Sequence, residues 1–208
     1  MTNHANQIPD QTGTSSAAAA SSEPARDPDR ALELGAEPVR TFLMRARFAS
    51  LHVPELGLPV LDSEHIGSLL PLVCAGRSSL DEIRGAALVE MIRGTLTHEQ
   101  AQGLDREAPE RIQVPSGTRI RLDYAPEIPV LAVRIQEMFG AAATPTVAGG
   151  RQPVLLHLLS PAGRPMQVTQ DLAGFWERHY PSVRRQLRRR YPKHPWPEDG
   201  RTATPPPA

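Results

Sequence analysis

The chain has 208 residues, 22 of them proline and 15 glycine, with 39% hydrophobic, 22% charged and only 4% aromatic residues, which allows one ordinary domain or two small ones. Basic and acidic residues balance at 23 each, yet 10 basic and 16 acidic residues fall up to Pro115 and 13 and 7 after it. An acidic half thus precedes a basic half, which permits a polyanion partner for the second half and argues against a uniformly charged surface.

Residues 1–37 are dominated by Ser, Ala, Thr, Pro, Asp and Asn and show no apolar period, so a disordered leader is expected. They also lack the basic start and apolar stretch of a signal peptide. No apolar run in the chain approaches the ~18 residues of a spanning helix, so the expected location is the cytoplasm, with no membrane partner.

From 38 to 108 the signals are helical. Phe42, Leu43, Ala46 and Ala49 make one apolar stripe, and Ile66, Leu69, Leu70, Val73 and Cys74 another, at the spacing of a helix face. Asp62 reads as the cap that opens the second of these, and Cys74, the single cysteine, as a small core residue of a protein without disulfides. Ser79–Glu82 and Thr97–Gln100 fit the capping box, in which a hydroxyl accepts the N3 amide and the N3 side chain returns to the cap amide. They predict helices over roughly 80–93 and 98–107, the first burying Ile83, Ala87, Leu88, Met91 and Ile92. A small helical bundle follows from these elements.

Over 109–170 the period changes to two. Ile112 and Val114, then Ile120 and Leu122, alternate with Arg111, Gln113, Arg119 and Arg121, which predicts one apolar and one arginine-bearing sheet face. Val114-Pro115-Ser116-Gly117 and Ser160-Pro161-Ala162-Gly163 place proline second and glycine fourth in a turn, so two hairpins are expected. Between them, Val130–Val133 reads as a strand leading into a short helix, Arg134–Phe139, stopped by Gly140. The order strand, strand, strand, helix, strand, strand is that of a five-stranded OB-type barrel.

Residues 171–200 are helical again and basic. Asp171 is placed to cap Leu172–His179, and Pro181 to open a second helix through Arg190. Arg184, Arg185, Arg188, Arg189, Arg190 and Lys193 bring six positive charges into ten residues, beside Tyr180, Tyr191 and Trp196. Such charge with aromatic planes suits single-stranded RNA or DNA; the plainer alternative is a solvated helix face with the aromatics packed beneath the tail. Trp196, between two prolines, is either a base-stacking plane or a clamp on the protein itself. Residues 201–208, ending in three prolines and an alanine, read as a disordered tail. The expected fold is therefore α+β: a helical bundle, an OB-like barrel and a basic helical extension.

Enzymatic motifs are missing. A P-loop needs Gly-Lys-Ser/Thr, and the one lysine stands in Pro192-Lys193-His194. Asp62-Ser63-Glu64-His65 lacks the preceding buried strand of an acidic Mg²⁺ motif. The seven histidines show neither metal-ligand pairing nor cysteine neighbours, so no metal is expected. Ser160 lacks the Gly-x-Ser-x-Gly elbow of a nucleophile, and His157 reads as a strand residue. No catalytic residue and no cofactor are expected.

Three stretches, Val114–Tyr124, Pro129–Gly140 and Pro153–Pro165, followed by Asp171-Leu172-Ala173-Gly174-Phe175-Trp176 and Arg190–Asp199, resemble the C-terminal region of HrpB-type bacterial ATP-dependent RNA helicases of the DEAH/RHA class. The resemblance is strong from Arg111 to Gly200 and extends more weakly back to Glu37, taking in Pro54–Pro59. In that family two RecA-like motor domains precede this region. Their P-loop, acidic motif and arginine fingers have no counterparts here, so the resemblance implies the accessory end of such a helicase, without an ATPase motor of its own. Expected phosphate contacts are Arg119, Arg121, Arg184, Arg185, Arg188 and Lys193, with Trp196 as stacker. The alternative is an interaction module that docks on a separately encoded helicase motor without touching RNA, or a fragment of a helicase gene.

Overall fold

The structure is a computed structural model that describes residues 36–61, 68 and 86–206. The expected leader, the Ile66–Cys74 stripe, the Asp62 cap and the Ser79 capping box lie outside the described residues.

Helix α1 (Ala36–His52) buries Val39, Phe42, Ala46 and Ala49, positions spaced by three, four and three as a helix face requires. It stops because His52 and Val53 run into Pro54, whose ring disfavours helix in the residue before it. A single 3₁₀ turn, Pro54–Leu56, follows. Helices α2 (Ala86–Gly94) and α3 (His98–Glu107) pack on α1, α2 through Leu88 and Ile92, α3 through Leu104. The Thr97 capping box is formed: the Gln100 N–H donates to Thr97 Oγ1 at 3.2 Å, and the Thr97 N–H donates to Gln100 Oε1 at 3.0 Å.

Strands β1 (Arg111–Gln113) and β2 (Arg119–Arg121) form the first expected hairpin, with Ile112 opposite Ile120. Strand β3 (Val130–Arg134) runs into a 3₁₀ turn, Ile135–Met138, in place of a short α-helix. Gly140, at φ +85°, then turns the chain in a conformation that side-chain-bearing residues rarely adopt. Two-residue strands β4 (Thr146–Val147) and β5 (Gln152–Pro153) pair next, followed by the second expected hairpin, β6 (Leu155–Leu159) and β7 (Pro165–Thr169).

The barrel is the expectation that needs correction. Among the described residues the strands form three separate sheets, β1-β2, β3-β6-β7 and β4-β5, and no closed ladder. One antiparallel bridge, Asp123 to Val130, is the backbone pairing between the segment after the first hairpin and the central sheet. The strands are two to five residues long, and on the arginine face of the first hairpin Arg121 bonds Glu37 and Thr41 of α1 while Arg111 and Arg119 stay exposed. In the central sheet β3 and β6 run parallel, Leu131 beside Leu156 and Val133 beside Leu158, and these four side chains are buried.

A single cluster of buried side chains runs from Val39 through Leu104, Leu131 and Leu156 to Trp196. Buried Arg45 crosses it, donating Nε to the Ala108 carbonyl at 2.8 Å and Nη2 to Asp105 at 3.0 Å, while the Ala148 N–H reaches the Glu107 carbonyl at 2.8 Å. Helical and β elements are thus joined through the end of α3. Among the described residues no helix is long and apolar enough to cross a membrane.

Candidate nucleic-acid interface

The basic extension is one nearly continuous helix where two were expected. Asp171 opens it, accepting the Gly174 N–H at 2.7 Å and the Arg178 guanidinium at 2.6 Å, and these donors hold its carboxyl below the usual carboxylate range. A helical turn, α4 (Leu172–Gly174), passes through a π-helical stretch, Phe175–His179, into α5 (Tyr180–Arg190). The π stretch accommodates Pro181, which has no N–H to give and would press its ring on the carbonyl of Glu177 in a regular α-helix. In that stretch the Tyr180 N–H bonds the carbonyl of Phe175, five residues back.

Helix α5 has three differently occupied sides. Tyr180, Val183 and Leu187 are buried. On one flank Arg184 donates Nε to the Trp196 carbonyl at 2.9 Å and lies 3.5 Å from Glu198. Facing water are Arg185, Arg188 and Arg189; among the described residues neither they nor the exposed Lys193 make an ion pair or side-chain hydrogen bond.

After α5 the proline-rich segment folds back as a strap. Trp196 is 7% exposed, its indole N–H donating to the Tyr191 carbonyl at 2.9 Å, and the Tyr180 hydroxyl donates to the Pro197 carbonyl at 3.0 Å. Burial pushes the Tyr180 phenol up to about 12. Gly200 lies flat on Trp176; a Cβ there would stand 2.4 Å from the ring. Phe139, Phe175, Trp176 and Tyr180 pack beneath in tilted and edge-to-face pairs with centroids 5.0 to 6.1 Å apart. Trp196 is therefore a clamp on the protein, and its assignment as a base-stacking plane is corrected: its ring is used up in the fold.

The remaining assigned residues divide. Arg119 is exposed on β2 with no ion pair among the described residues. Arg121 is tied to Glu37 at 2.8 Å and Thr41 at 2.9 Å, with Glu110 at 3.7 Å. Arg121 and Arg184 thus have protein partners, whereas Arg119, Arg185, Arg188 and Lys193 have exposed charges. His157 lies between Ala132 and Val168 on the outer face of the central sheet. Ser160 is buried and accepts the Arg164 N–H at 3.1 Å.

Grooves cut the surface of the described residues. One, of about 730 Å³, lies between α1 and the segment after Tyr124 and includes Glu127. The next, about 450 Å³, includes Glu37 and Asp123. The third, about 440 Å³, lies between the turn joining β6 to β7 and the flank of α5 opposite Arg184; it is lined by Arg164, Pro165, Met166, Arg189, Arg190 and Tyr191, among others, and by no acidic residue. Sequence reasoning missed Arg164 here, because only the fold brings that turn beside the helix end.

Residues 69–200 match the family described as ATP-dependent helicase C-terminal, HrpB_C. The chain belongs to the HrpB_C family. It is 41% identical over 168 residues to the ATP-dependent RNA helicase HrpB of Escherichia coli K12, a match covering 78% of this chain and 21% of that protein. Two crystal structures of the E. coli protein, described as a DExH-box NTPase and as a DEAH/RHA helicase, match with TM-scores of 0.73 and 0.66 at 38% and 36% identity. Each match covers 81% of this chain, and 21% and 22% of those chains respectively. The chain thus spans about a fifth of the relatives it matches, and the matched part is their C-terminal region. The HrpB_C match includes α5, the strap and the third groove, and leaves α1 outside.

Proposed function

We propose that this HrpB_C chain is the accessory nucleic-acid-binding part of an ATP-dependent RNA helicase, acting in the cytoplasm. It holds single-stranded RNA or DNA by its phosphates and leaves ATP hydrolysis to motor domains outside this sequence. The observation that carries this is the solvent side of α5 with its extension: Arg185, Arg188, Arg189 and Lys193, exposed and without acidic partners. A helix C-terminus offers about half a negative charge, enough to offset about half of one such cation. The surplus has no partner among the described residues, and phosphates are the polyanion that arginine forks suit. Arg119, on β2 of the first hairpin, adds a further contact.

Docking on a helicase motor is the second reading. It is supported by the groove between α1 and Tyr124, whose lining includes Met44, Phe48 and Leu51, Leu51 being 70% exposed.

Titration of the purified chain with a fluorescent single-stranded RNA across salt concentrations, with ATP hydrolysis followed in the same samples, tests both statements. Binding is expected to weaken with salt by about 0.7 in log–log slope per phosphate contact, and R185E/R188E to flatten that slope by one to two units. An unchanged slope removes α5 as the interface, and ATP turnover that copurifies with the chain overturns the accessory assignment.

A further inference from the structure

Beyond holding phosphates, the groove beside α5 has the build of a slot for one base. Its volume of about 440 Å³ falls within the 300–1,000 Å³ of small-ligand clefts. Pro165, Met166 and Leu187 supply apolar lining, Tyr191 an aromatic ring, and Arg164, Arg189 and Arg190 the cations. The Arg190 guanidinium stands over the Tyr191 ring, 5.9 Å from its centroid, an arrangement that presents a flat, polarizable surface. The Tyr191 hydroxyl lies 3.5 Å from Ser160 Oγ, and its backbone N–H bonds the Leu187 carbonyl at 2.7 Å, so the ring is held in place before anything binds.

We infer that this groove takes a single unpaired nucleotide of the strand that α5 holds: the base lies against Tyr191 and Met166, and its phosphate faces Arg164, Arg189 and Arg190. The inference rests on the nucleic-acid reading above and adds to it a site that senses bases as well as charge. Two features favour a nucleotide over an acidic peptide. Apolar lining with an aromatic ring suits a base's π-face, and arginine suits bidentate phosphate contacts. The absence of any acidic residue from this lining, in contrast to the other two grooves, makes the slot selective for an anionic ligand.

The test compares the full chain's affinity for a 12-mer oligouridine with that for an abasic 12-mer carrying the same phosphates, with a 12-residue poly-glutamate peptide as competitor. The wild type is expected to prefer the oligouridine about tenfold, in the range of one base–aromatic stack. M166E, which puts an acid in the slot, and Y191A are each expected to abolish that preference. R185A/R188A, on the solvent side, lowers both affinities together and keeps the preference. Tryptophan fluorescence reports that each variant is folded, since Trp176 and Trp196 are the only tryptophans and both are buried. Equal, salt-sensitive affinity for the two 12-mers overturns the slot and leaves phosphate binding standing. Binding of neither overturns both. Displacement of oligouridine by poly-glutamate at equal concentration identifies a peptide groove and overturns the nucleotide assignment.

Discussion

Arg45 carries a charge into the core, and its surroundings explain how the fold tolerates it. Its Nε is satisfied by the Ala108 carbonyl and its Nη2 by Asp105. The same carboxylate also receives Arg93, whose guanidinium, followed by that of Arg45, holds the Asp105 carboxyl below its ordinary value of 3.8. A carboxyl depressed in the folded state stabilises the fold above the unfolded value and loses that contribution as pH falls through the folded one. We therefore expect D105N to cost about 1–3 kcal/mol at pH 7 through the weakened support of a buried cation. In urea melts the gap between wild type and variant should narrow below pH 4; a gap independent of pH would exclude Asp105 as the titrating group. Trp196 is a second residue whose role is internal. Truncation to alanine removes a buried indole and its hydrogen bond, and should cost about 3–5 kcal/mol, read from denaturant midpoints; a cost below 1 kcal/mol would mean that the strap is not a clamp.

At the scale of elements, local chemistry was legible wherever a residue acts on its own neighbours. The two proline–glycine turns and the Thr97 box are decided within four residues, and the structure forms all three. The box is also tied to the rest of the fold, because Gln100 Nε2 donates to the Gly57 carbonyl at 2.6 Å. T97A is expected to lower stability by about 1 kcal/mol, visible as a lower thermal midpoint; an unchanged midpoint would show the cap to be replaced by water. Less legible were features set by distant partners. β4 and β5 are too short to show alternation, and the parallel pairing of β3 with β6 joins segments separated by more than twenty residues. The arginine face of β2 was readable as a face, but the pairing of its Arg121 with α1 was not, since Glu37 and Arg121 are 84 positions apart.

For the whole molecule, the C-terminal half is organised around one helix with three differently occupied sides, and the candidate interface follows from that division. Sequence spacing separated Val183 and Leu187 from the arginines. It did not separate the arginines from one another: Arg184 holds the strap, Arg185, Arg188 and Arg189 face water, and Arg189 together with Arg190 also borders a groove. Each position depends on another part of the chain, on the strap for the first and on the β6–β7 turn for the last.

The π-helical stretch before Pro181 has a bearing on how this surface is aimed. One extra residue in a turn rotates everything beyond it by about 100° around the helix axis. The compass bearing of the whole cationic face, relative to the β elements behind it, is therefore set by a single residue's worth of surplus backbone between Phe175 and His179. A chain lacking that residue, with alanine in place of Pro181, would keep every arginine and point them a quarter-turn away.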